Sequence, residues 1–166
     1  VTYQGISERW KRAYHRMLGR HYERACGGEP GDVIYDLARH FSACGEPGKA
    51  YEYCLKAGER AEVAYAPELA RQFYSSAVQH APESIPAPDR ALLFERLADS
   101  KKYLGLLEEA LADYESALRI LEPGRRQHLA VLLKQHSLLE RLRQISAAAA
   151  LLAMALPFAQ SADPAL

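Results

Sequence analysis

Three windows of this sequence repeat one spacing of small and large residues, and that spacing constrains the fold more than any other feature. Residues 31–64 contain Leu37-Ala38, Phe41, Gly45, Ala50, Cys54 and Ala57, and residues 91–123 contain Phe94, Leu97-Ala98, Gly105, Ala110, Tyr114, Ala117 and Pro123. Residues 129–162 carry Ala148, Leu152 and Ala155 at the same offsets, behind a weaker first half. A partial copy, Ala70, Tyr74, Ala77 and Pro82, falls between the first two. In each copy a small residue is followed by a larger one after four positions and by another small one after three more. Two helices of a hairpin approach closely only where alanine or glycine faces the neighbour. Ala38, Ala50, Ala57, Ala98, Ala110 and Ala117 are therefore the expected contact points, while Phe41, Tyr74, Phe94 and Tyr114 fill the gaps between hairpins. Gly45 and Gly105 stand where a helix needs a left-handed residue to end in a tight turn. One hairpin cannot bury its own apolar face; a stack of hairpins can.

The rest of the chain agrees with an all-α fold. Apolar residues recur at three and four positions, strand-like alternation is absent, and the breaks are marked by glycine and proline. The pattern predicts about eight helices, at roughly 6–26, 31–44, 48–64, 67–81, 88–104, 106–121, 125–142 and 145–158. The short connections imply antiparallel neighbours. The stretch from Ala81 to Pro88 is the longest interruption. The expected organisation is 1–82 as N-terminal helices with the first repeats, 83–90 as a proline-rich joint, 91–162 as C-terminal repeats and 163–166 as a tail. The chain beyond Pro157 is expected to fray.

These windows resemble the tetratricopeptide repeat (TPR) consensus, best in the segment Leu97 to Leu118. The family's tryptophan and proline marks are mostly missing, and Lys101 stands where an aromatic is usual. The resemblance implies an antiparallel helix-hairpin solenoid that binds other proteins. A narrower likeness covers about residues 6–80. The segments Ser7 to Arg16, Asp36 to Gly45 and Lys49 to Ala61 resemble the helical region of large bacterial STAND-type signalling ATPases. In those proteins such helices and TPR repeats follow an ATPase module and are often joined to a cyclase, a kinase or a LuxR-type DNA-binding domain. The likeness implies a regulatory sensor arm and brings no catalytic residue, since no P-loop (GxxxxGK[ST]) is present.

Composition narrows the function classes. The formal net charge is zero, so nothing global draws the chain to nucleic acid or to an anionic membrane. The three cysteines, Cys26, Cys44 and Cys54, form no CxxC pair and fit reduced thiols in a cytoplasmic protein. No apolar run reaches the ~20 residues that span a bilayer. The chain opens Val-Thr-Tyr with no signal-peptide pattern, and is expected to be an excised piece of a longer polypeptide.

Candidate chemistry is sparse. None of the six histidines lies in HExxH; the nearest pairs, His15 with His21 and His128 with His136, are spaced by six and eight. Neither spacing gives the i,i+4 face of a helical zinc site, so no metal, cofactor or catalytic residue is assigned. On the first helix Arg9, Arg12, Arg16, Arg20 and Arg24 line one face, with Trp10, Tyr14, Met17, Leu18, His21 and Ala25 on the other. The arginine stripe suits an acidic partner or phosphates, against the simpler reading of a solvated amphipathic face. The family's groove lies along the first helix of each hairpin. On this register its exposed inner face is Tyr35 and Arg39, then Glu95, Asp99, Lys102 and Tyr103, then Leu133, His136 and Glu140. The chain has no asparagine, which argues against the carboxylate clamp some members carry. The leading expectation is a non-catalytic module that binds a protein or peptide, or neighbouring domains of the same parent chain, within a bacterial signalling protein. A helical small-ligand sensor using Tyr35, Tyr103 and Tyr114, and nucleic-acid or acidic-partner binding through the arginine stripe, are the alternatives.

Overall fold

A computed structural model describes residues 7–161, with side chains as far as Phe158. The outermost parts of the expected organisation, residues 1–6 and 162–166 with the tail 163–166, lie outside the described residues. Among the described residues the chain is all-α: α1 (Glu8–Ala25), α2 (Ile34–Cys44), α3 (Pro47–Val63), α4 (Pro67–His80), α5 (Ala87–Tyr103), α6 (Leu107–Ile120), α7 (Arg126–Arg141) and α8 (Ile145–Ser161). A short 3-10 turn, Gly31–Val33, leads into α2. Prolines Pro47, Pro67 and Pro88 sit in the first turns of α3, α4 and α5, where a missing N–H costs nothing. Gly45 closes α2 at φ 77°. After α5, Gly105 is left-handed at φ 79°, and the Leu106 N–H reaches back to the Lys101 carbonyl at 3.0 Å. The same closure recurs after α3 and α7, but there Tyr65 (φ 54°) and Arg143 (φ 59°) occupy the left-handed position. The chain divides into two compact units between Ile85 and Pro86.

In the first unit α1 packs on α2, α2 on α3 and α3 on α4. Ala38, Ala50, Ala57, Ala70 and Ala77 are fully or almost fully buried, as the spacing predicts, and so are Phe41 and Tyr74. Burying each of those large rings contributes roughly 1.5–3 kcal/mol. Two of the closest approaches use glycine. A Cβ at Gly19 would lie 3.2 Å from the Phe41 ring, and one at Gly58 would lie 2.5 Å from the Tyr74 ring. Phe41 stacks on Tyr53 with centroids 5.1 Å apart.

The apolar face expected of the first helix is corrected. Trp10, Tyr14 and Met17 are 69%, 50% and 59% exposed, and His21 and Ala25 are exposed too. The packed face is Lys11, His15, Leu18, Gly19 and Tyr22. The physical reason is that α1 meets α2 through a glycine and a ring cluster. The Nδ1 atoms of His15 and His40 lie 2.8 Å apart, and Tyr22 stacks on His40 at 5.7 Å. Gly19 lets the backbones close over Phe41 where a larger apolar residue would hold them apart.

In the second unit α5 packs on α6, α6 on α7 and α7 on α8. Its core joins Ala91, Ala98, Ala110, Tyr114, Ala117, Leu121, Val131 and Leu138, with Phe94, Leu107, Leu111 and Leu118 packed at its edge. Two expectations fail in α8. Leu152, placed at a gap-filling position by the spacing, is 41% exposed, because the packed line of α8 runs beside it through buried Ala148 and half-buried Leu151 and Ala155. The helix also runs through Pro157 to Ser161 instead of fraying. Phe158 holds that last turn: its ring fills the place where a Gly124 side chain would stand and meets His128 edge-on at 6.4 Å.

Candidate interaction surface

The expected groove residues of the second unit begin on one strip of α5. Glu95, Asp99 and Lys102 recur at four and three positions and so share a face, with Tyr103 at its margin. Lys134 of α7 reaches across to this strip. Its Nζ lies 2.6 Å from Glu95 Oε1 and 2.5 Å from Asp99 Oδ2. Tyr114 of α6 donates its hydroxyl to Asp99 Oδ1 at 2.6 Å, and Lys102 Nζ donates to the same oxygen at 3.0 Å. One carboxylate thus ties together three helices. Glu95 is buried, which corrects its expected exposure: the Lys134 ammonium replaces the water it would lose.

Electrostatics of the cluster follow from this geometry. Burial alone would push the Asp99 carboxyl up, but hydrogen bonds from Lys134, Tyr114 and Lys102 outweigh it and hold the carboxyl below its ordinary range. Burial would lower Lys134, yet Asp99 and Glu95 hold it above the usual lysine value. Burial and the Asp99 carboxylate push the Tyr114 hydroxyl up. Lys101, the departure from the repeat pattern, takes a similar part on the other side of α5. Its ammonium is 2.7 Å from Asp113 and 3.4 Å from Glu109 on α6, so an ion pair stands where an aromatic contact would be.

Beyond Tyr103 at its margin, the other expected groove residues do not join this strip. His136 follows Lys134 by two positions, which places it on the opposite side of α7, where it faces Glu140 at 3.8 Å. Leu133 and Tyr103 are exposed, at 58% and 76%, with Lys102 Nζ 5.6 Å from the Tyr103 ring centre. In the first unit Tyr35 is half-buried and stacked on Phe73 at 5.5 Å, while Arg39 is exposed beside Asp36 at 3.8 Å.

The five arginines of the basic face are all exposed. Arg16 and Arg20 share the Glu46 carboxylate at 2.9 and 3.2 Å, whereas Arg9, Arg12 and Arg24 make no ion pair with a described carboxylate. At the C-terminal end of α1, Glu23 accepts from the Tyr53 hydroxyl at 2.7 Å and pairs with Lys49 at 2.5 Å. The Lys49 hydrogen bond holds the Glu23 carboxyl below its ordinary range despite partial burial. Arg20, Glu23, Arg24 and Lys49 line an open cleft of about 400 Å³.

Lys134 and the Glu23–Lys49–Tyr53 lock were not visible in sequence spacing, since their partners lie more than two dozen residues away. Nor were two buried polar atoms on α7, His128 Nδ1 and Gln135 Oε1, which have no hydrogen-bond partner among the described residues. Burial pushes the His128 imidazole below its ordinary value. All three cysteines are free thiols, Cys44 and Cys54 in the core. Among the described residues no group of three or more histidine, cysteine or carboxylate side chains is placed to hold a metal ion, and no helix is long and apolar enough to cross a membrane. A scan against protein-family models found no match, and a search of curated proteins found no significant relative.

Proposed function

We propose that this chain is a non-catalytic helical-repeat module of the TPR type that binds a protein or peptide partner, as a regulatory arm of a larger cytoplasmic bacterial signalling protein. The observation that carries the reading is the α5 strip. There an exposed aromatic, Tyr103, stands beside a set of ionisable groups already satisfied by one another. Asp99 is held below its ordinary range and Lys134 above its own, so neither is poised to exchange a proton near neutral pH. A fixed polar cluster flanked by an aromatic anchor suits recognition instead, because aromatic side chains supply much of the binding energy at protein interfaces. The setting in a signalling protein rests on the resemblance of residues 6–80 to STAND-type ATPases.

The test is affinity capture from lysate of the source organism, with Tyr103→Ala and Leu133→Ser as controls. Both positions are exposed and outside the core, unlike Tyr35 and Lys102, whose loss would disturb a ring stack and the Asp99 cluster. A defined protein retained by the wild type and lost with Tyr103→Ala supports the reading. Retention indifferent to Tyr103→Ala refutes binding at this face.

A further inference from the structure

We infer that the outer face of α1 is a docking site for an acidic amphipathic helix of a partner protein. This rests on the protein-binding reading but uses a different helix of a different unit. Trp10, Tyr14, Met17 and His21 follow one another by four, three and four residues, the spacing of a helix–helix seam. All four are exposed, the first three strongly, and none belongs to the face that α1 turns to α2. The seam runs about 16 Å along the axis at 1.5 Å per residue. A tryptophan, a tyrosine and a methionine lined up on one exposed ridge bring the side chains most often found as anchors at interfaces.

Charge selects the occupant. From Glu8 to Ala25 the helix carries five arginines and one lysine against two glutamates. Both glutamates are already engaged, Glu8 with Lys11 at 2.8 Å and Glu23 with Lys49 and Tyr53. Arg9 and Arg20 run along one flank of the ridge and Arg24 closes its end, beside the cleft shared with Lys49. Arg16 and Arg20 already hold Glu46 between them, so the carboxylates of a partner fall to Arg9 and Arg24, which make no ion pair with a described carboxylate. The complement is a helix with an apolar seam of the same period, bordered on one side by Glu or Asp. A phosphate backbone offers no apolar seam to this ridge, and the vesicle arm of the experiment separates a partner helix from an anionic lipid surface, which takes such ridges without regard to period.

Trp10 is the only tryptophan of the chain, so its fluorescence reports on this ridge alone. The experiment titrates the whole chain with a synthetic amphipathic helix of leucine and glutamate in heptads, in parallel with its leucine–lysine counterpart. Phosphatidylcholine–phosphatidylserine vesicles and a single-stranded oligonucleotide are the other arms. The expected result is a saturable blue shift of Trp10 emission with the acidic peptide only. Met17→Glu, at an exposed position that leaves the fold intact, should abolish the shift. Reversal of Arg9 and Arg24 to glutamate should raise the half-saturation concentration by about tenfold. An unmoved Trp10 with the acidic peptide, or a shift with the lysine peptide, the vesicles or the oligonucleotide in its place, overturns the assignment. That failure leaves the Tyr103 face untouched, whereas loss of capture at Tyr103 says nothing about Trp10.

Discussion

Replacing Gly58 by alanine should destabilise the protein, although the same change elsewhere in the same helix should stabilise it. Gly58 lies inside α3, where alanine is ordinarily favoured over glycine by about 1 kcal/mol. Here a Cβ would sit 2.5, 2.6 and 3.0 Å from three atoms of the Tyr74 ring. Carbon atoms rest about 3.5–4.0 Å apart, so the ring must retreat by about 1 Å. Tyr74 has nowhere to go: it is fully buried, and its hydroxyl is held by Glu62 at 2.7 Å. Overpacking of this kind costs about 1–3 kcal/mol, and displacing a hydrogen bond to an ionised group adds about 1 kcal/mol or more. Against the helical gain, the net loss is about 1–3 kcal/mol. Gly48, near the start of α3, has nothing within 4 Å of the corresponding position, and Gly48→Ala should gain up to about 1 kcal/mol. Urea unfolding followed by circular dichroism at 222 nm reads both: the midpoint should fall for Gly58→Ala and rise for Gly48→Ala. Midpoints that move together in either direction would refute the close approach of α3 and α4 at Tyr74.

Four further substitutions probe other parts of the fold. Lys134→Met leaves Glu95 and Asp99 facing each other without their shared cation; the half-exposed ammonium makes the loss moderate, about 1–2 kcal/mol by denaturant melt. Because Asp99 is held below its ordinary pKa, its contribution is present above about pH 4 and is lost as pH falls through the lowered value, so acid unfolding of Lys134→Met should begin at higher pH than in the wild type. Gly105→Ala, at φ 79°, should cost about 1–2 kcal/mol, and Tyr65→Gly, at φ 54° and 93% exposed, should recover about 0.5–1 kcal/mol; thermal melts of the pair test whether the two turns share one closure. Burial and the neighbouring His15 keep His40 below its ordinary pKa, against Asp36, which raises it, and with Arg39, which lowers it. Its contribution is therefore present above about pH 6.5 and lost as pH falls through the lowered value. His40→Gln should flatten the decline in urea midpoint between pH 7 and pH 5, and an unchanged slope would discount the imidazole pair.

The hairpin interiors were legible because alanine at close contacts follows from geometry alone. Ala38, Ala50, Ala57, Ala98, Ala110 and Ala117 could each be placed from their spacing to a larger neighbour, and all are fully buried. The outer helices were less legible. The faces of α1 were assigned by polarity, and polarity misleads where a glycine, an imidazole, a tyrosine ring and Lys11 make up most of the packed side. The breaks after α3 and α7 could be placed, but not their left-handed closures, because tyrosine and arginine hold a conformation that glycine usually signals. The α5 strip was half legible. Glu95, Asp99 and Lys102 could be placed on one face by periodicity, but Lys134 comes from 39 residues beyond Glu95, and no local pattern announces it. Without that cation Glu95 reads as a solvent-facing residue; with it, the same carboxylate becomes part of the interior.

The mutual satisfaction of Asp99, Lys134, Tyr114 and Lys102 sets the terms on which any ligand can use that face. An incoming charged group would have to exchange bonds with partners already held in place, losing about as much as it gains. Added salt would then change little, because no bare charge is present to be screened. Selectivity at α5 falls to shape, above all to what can lie flat against Tyr103, and the charged residues act as a rigid floor beneath it.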